Sequence, residues 1–115
     1  MNGLTEVEMA RHADERGRIL LALHQEYGRE MTSVRSLRGA LDLLGYSLSQ
    51  ESLEFSLVYL AESGYLKIWR LRDTPAWRPD RDGDASPERI VFAKLLPKGV
   101  RLIDGREPAD AGVRF

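Results

Sequence analysis

The sequence predicts an α+β domain with a three-helix core, a two-stranded hairpin and a short closing helix. Three observations predict it. Apolar residues recur at helical spacing through the first half and at strand spacing in the second, glycines stand where the helical patterns stop, and a polar segment separates two strand-like runs. With 115 residues, 43% hydrophobic and 30% charged, the chain suits a single domain with one modest core.

The first helix is expected over residues 5–27. Thr5 and Glu8 have the spacing of a capping box, in which each side chain satisfies a free N–H of the first turn. Met9, Ala13, Leu20, Leu23 and Tyr27 share one stripe, Gly17 interrupts it and Gly28 stops it. At 1.5 Å per residue such a helix is ~34 Å long, more than a domain this size needs. Residues 1–14 are therefore expected to overhang the core and to offer a contact to a second copy.

After a link at Met31 to Ser33, Val34, Leu37, Leu41 and Leu44 mark a second helix that ends at Gly45. Tyr46 to Leu48 form a turn. Ser49 then caps a third helix, with Leu48 and Leu53 at the two positions of a hydrophobic staple and Gly64 as the stop. Residues 65–72 and 89–96 read as antiparallel strands around a long Pro-, Asp- and Gly-rich loop. Pro97 opens a last short helix that ends near Gly105, and residues 105–115 are expected to form a loose tail.

This order of helices and hairpin is that of a winged helix-turn-helix, and two segments match in wording. Leu60-Ala61-Glu62-Ser63-Gly64-Tyr65-Leu66 resembles the step from recognition helix into wing in bacterial regulators of the PadR and MarR type. Leu95-Leu96-Pro97-Lys98-Gly99-Val100-Arg101-Leu102-Ile103 is similar to their exit from the last strand. The resemblance covers roughly residues 15–104. It implies a cytoplasmic, homodimeric regulator of transcription that binds double-stranded DNA, with the third helix in the major groove and the wing on the phosphate backbone or minor groove.

The residues themselves divide on that implication. Arg35 and Arg38 on the second helix, and Lys67, Arg70, Arg72, Arg78, Arg81, Arg89 and Lys94 in the wing, suit phosphate contacts, with Trp77 available to stack or wedge. Ser49, Gln50 and Ser52 offer polar groups at the entering end of the third helix. That helix carries three Glu and no Lys or Arg, however, and its outward face of Glu51, Glu54, Phe55, Val58 and Tyr59 suits a protein partner as well. The wing's acidic residues, Asp73, Asp80, Asp82, Asp84 and Glu88, also fit a plain solvated edge.

Charge agrees with the placement of a polyanion surface in the second half. Residues 1–64 hold six Lys/Arg against ten Asp/Glu, and residues 65–115 hold eleven against eight, within a net charge of -1. Other chemistry finds little support. The chain has no cysteine, which fits a reducing cytoplasm, and no apolar run near the ~18 residues of a membrane span. His12 and His24 lie too far apart on one helix to share a metal, and Asp80 to Asp84 lacks the spacing of a calcium loop. No cofactor motif and no nucleophile, base and carboxylate pattern is present, so the expectation is a protein that is not an enzyme and needs no cofactor.

Overall fold

The structure, a computed structural model, describes the backbone of residues 3–28, 30–72 and 88–115, and the side chains of 6–28, 30–70 and 89–115. In chain order run α1 (Gly3–Ala22), which continues through one turn of π-helix (Leu23–Tyr27), β1 (Thr32–Ser33), α2 (Val34–Leu43) and α3 (Gln50–Glu62). The wing strands β2 (Leu66–Arg72) and β3 (Glu88–Leu95) follow, then α4 (Pro97–Ile103). This is a winged helix. The long loop, with Trp77, Arg78, Arg81 and the Asp80 to Asp84 segment, lies outside the described residues.

The expected punctuation of α3 is present in detail. Ser49 accepts from the Ser52 N–H at 3.1 Å, and the staple residues Leu48 and Leu53 are both buried. At the other end Gly64 takes a φ of +85°, a left-handed conformation that side chains disfavour, while the Tyr65 N–H returns to the Leu60 carbonyl at 3.0 Å. That reversal delivers Tyr65 and Leu66 into the core. There they meet Ile19, Leu20 and Leu23 of the first helix, Leu37 and Leu41 of α2, Leu53, Leu57 and Leu60 of α3, and Ile90 and Leu95 of β3.

Three expectations are corrected. First, α1 opens at Gly3, so Thr5 lies inside the helix instead of capping it. Second, the link before α2 is a strand: Thr32 and Ser33 pair with Ala93 and Phe92, and the sheet has three strands in the order β1-β3-β2. Ser33 is the N-cap of α2 and must be extended to accept from the Ser36 N–H, which it does at 3.0 Å; an extended pair beside the open edge of β3 then completes a ladder. Third, the tail is not loose.

Residues 110–115 run along α1. The Arg114 N–H donates to the Ala13 carbonyl at 2.9 Å, Arg16 Nη1 donates to the Gly112 carbonyl at 3.1 Å, and Val113 is buried. Gly17 does not interrupt α1 but makes this path possible, because a methyl group at that position would collide with the Arg114 carbonyl. The overhang is shorter for the same reason. Ala13 is covered by the tail, and the His12 ring lies 5.2 Å from that of Phe55 on α3.

The close approach at Gly17 predicts a change of sign. In an ordinary helix interior Gly→Ala stabilises by ~1 kcal/mol. Here Gly17→Ala is expected to lower the urea midpoint of the full chain, and to raise it once residues 106–115 are removed.

Candidate nucleic-acid interface

The helix-turn-helix and the sheet enclose a groove of about 840 Å³, roomy enough for a stretch of backbone. Its walls bring together Arg35, Arg38 and Asp42 from α2, Gln50 from the start of α3, and Arg89, Val91 and Phe92 from β3, with Ser33 at one end. Four of the residues expected on the interface, Arg35, Arg38, Gln50 and Arg89, thus share one site. Arg38 and Gln50 are partly committed. Arg38 Nε donates to the Leu48 carbonyl at 3.0 Å, which ties α2 to the turn, and Gln50 Nε2 donates to Glu54 at 2.9 Å. Arg35 stands exposed one residue into α2. The groove's sheet wall is the stretch where β3 bulges: Trp69 faces Phe92 but Arg70 faces Ile90, which leaves Val91 without a partner on β2.

The outward face of α3 is narrower than its sequence implies. Glu54 is turned to the sheet, where its Oε2 accepts from the Ile90 N–H at 3.2 Å as well as from Gln50. Tyr59 faces α1 and the tail, and Val58 packs in part against the core. The solvent stripe is therefore Glu51, Phe55 and Glu62, with Phe55 58% exposed. Ser49 and Ser52 open into a separate cleft beside Glu8, Arg11, His12 and Glu15 of α1.

The wing cations do not form one surface. Side chains alternate along a strand, and the register pairs Leu66 with Leu95 and Ile68 with Ala93 on the face toward the helices. Lys67 and Lys94 stand opposite each other on the outer face. Arg70 belongs to the other parity and is exposed where the sheet runs beyond the core, next to Arg72 at the end of β2. Among the described residues no group of His, Asp or Glu side chains is placed to hold a metal ion, and no helix is long and apolar enough to cross a membrane.

This arrangement of three helices, turn, two-stranded wing and a third short strand beside it defines the class of protein: a winged-helix domain. Its architecture matches the crystal structure of a PadR-like transcription factor from Bacteroides fragilis, with a TM-score of 0.57 at 16% identity over 91% of this chain and 84% of that one. No protein-family model matches the sequence, and no curated protein does.

Behind its outward face α3 is held by a cluster that sequence reading missed. The Asp110 carboxylate accepts from Tyr59 and Tyr65, each at 2.8 Å, and from the Gly112 N–H at 2.8 Å. The Arg16 guanidinium lies over the Tyr59 ring at 3.9 Å. Burial pushes the Asp110 carboxyl up, but the three donors and the Arg16 charge outweigh it and hold it below the usual range. Burial, then the Asp110 hydrogen bond, pushes Tyr65 up to about 12. Tyr59 is raised first by its bond to Asp110. Gly17, unexplained inside a helical stripe, was the one sequence signal for a backbone in close approach.

The cluster sets a pH profile for stability. Asp110 is depressed on folding, so its contribution is present above the unfolded pKa near 3.8 and is lost as pH falls through the lower folded value. Tyr65 is raised, so its contribution is present below 10 and is lost as pH climbs from 10 to about 12. Asp110→Ala is expected to leave two tyrosine hydroxyls short of an acceptor and to cost about 2 kcal/mol at neutral pH by urea unfolding.

Proposed function

We propose that the chain is a DNA-binding regulator of transcription, in keeping with the transcription factor whose architecture it shares. The single observation that carries this reading is the groove. A helix-turn-helix and a wing present Arg35, Arg38 and Arg89 to one site at the entering end of α3. Phosphate contacts by Arg35 and Arg38, with Arg70 and Arg72 on the wing and Lys67 at its outer side, supply affinity. Gln50, Ser49 and Ser52 meet the DNA where α3 enters the major groove. The removal of Glu54 to the sheet supports this, because Glu51 then sits in the first turn, where the helix dipole favours it, and Glu62 lies at the far end. Homodimerisation through the start of α1 is part of the same proposal. Val7 and Met9 are 57% and 64% exposed there.

One observation favours a second reading. Phe55 stands exposed between Glu51 and Glu62 on the face that this fold presents to its target, and an aromatic residue so placed suits the centre of a protein interface.

Anisotropy of a labelled mixed-sequence duplex, titrated at ~50 and ~200 mM salt, separates the two. DNA binding predicts micromolar or tighter affinity at low salt that falls steeply with added salt. Arg35→Ala is expected to weaken all sequences and to reduce the salt slope by ~0.9 for each phosphate that is no longer neutralised. Absence of duplex binding at ~50 mM salt would sink the DNA reading, and abolished partner capture on Phe55→Ala in a chain that still folds would establish the other. Sedimentation at micromolar concentration reads the dimer directly, and a monomer mass there would remove α1 as a dimer contact.

A further inference from the structure

We propose that the outer face of the sheet is a platform for unpaired bases, so that the protein binds single-stranded nucleic acid at a site of its own. The inference goes beyond duplex binding and turns on Trp69 and Lys94, which the duplex reading does not use, beside Phe92 and Lys67. An antiparallel sheet with one face open to solvent ordinarily carries polar residues there. On this sheet the open positions of one rung are aromatic: Trp69 and Phe92 stand directly opposite each other, half-buried, and neither packs against the core.

The neighbouring rung pairs Lys67 with Lys94. Like charges directly opposed destabilise a ladder. Among the described residues neither lysine has a carboxylate partner, and the Lys67 ammonium instead lies 5.1 Å from the centre of the Trp69 ring. Two aromatic planes beside two cations have the composition that a single strand recognises, with flat faces for bases and positive charge for the backbone between them. The rungs are two residues apart, ~6.6 Å along the strand, within reach of a lysine side chain from a base stacked on the aromatic rung.

The path also continues. Ser33 is the β1 partner of Phe92, and both line the groove that holds Arg35. A single strand laid across Lys67 and Lys94, then Trp69 and Phe92, therefore meets another cation at the sheet's edge. A duplex keeps its base faces stacked inside and has nothing to place on Trp69.

The chain has two tryptophans, so Trp77→Phe leaves Trp69 as the sole tryptophan emitter. This variant is titrated at low salt with a ~12-nucleotide oligothymidylate and, separately, with a mixed-sequence duplex of the same length, a span within the site sizes of single-strand binding domains. The single strand is expected to quench Trp69, and the duplex to leave its emission unchanged even where a label on the duplex reports binding. In the otherwise unaltered chain, Trp69→Ala is expected to weaken the single strand by about 5- to 150-fold and Trp69→Phe to restore most of it, both without effect on the duplex. Single-strand binding with no change in Trp69 emission overturns the proposal, as does no single-strand binding at low salt. Equal weakening of strand and duplex by Trp69→Ala also overturns it, by placing Trp69 in the duplex interface. The quenching arm uses the native Trp69, so instability of the Ala variant does not blunt it. Failure here leaves the duplex reading, which is read through Arg35, standing or falling separately.

Discussion

The position of α3 depends on one carboxylate. Asp110 sits in the tail yet gathers a hydroxyl from the last turns of α3, a hydroxyl from the turn into β2 and its own tail's Gly112 N–H. Three donors on one acceptor in a half-buried site give a geometry that no single apolar contact imposes, because a shift of any partner leaves a polar group without its bond. Arg16 closes the arrangement from α1, lying over Tyr59 and reaching the Gly112 carbonyl. α3 is thereby fixed to the first helix and to the tail together.

Much of the fold was legible because its signals are local. Ser49 with Leu48 and Leu53 specifies the start of α3, Gly64 its end, and Pro97 the start of α4, and each of these rests on residues within a few positions of one another. What was not legible is what joins distant segments. Thr32 and Ser33 are too few to show a period, and only the passing edge of β3 makes them a strand. The tail has the small and polar residues of a loose end, yet Val113 and Asp110 hold it against α1 and α3. Gly17 carried the signal, but its meaning lies in the Arg114 carbonyl, at the other end of the chain.

The site divides in the same way. That Arg35, Arg38 and Gln50 converge follows from the order helix, turn, helix, which is local. That Glu54 leaves the outward face does not, because its reason is the Ile90 N–H on a strand formed much later in the sequence. The wing cations were legible as a group but not as two faces. Strict alternation from Leu66 separates Lys67 from Arg70, whereas the bulge that leaves Val91 without a partner on β2 has no marker in residue type.

The pairing of Ala13 with Arg114 orders events in time as well as in space. As the chain is synthesised, α1, α2 and α3 are complete before either wing strand exists, and β1 waits for β3 to find its partner. The slot over Gly17 stays open until Arg114 is added. Contacts of such long sequence separation form late, since the entropy of closing the intervening chain opposes them until the rest is in place. A chain that stops before residue 110 would keep all four helices and both wing strands yet lack Val113 in the core and the carboxylate that ties α3 to α1.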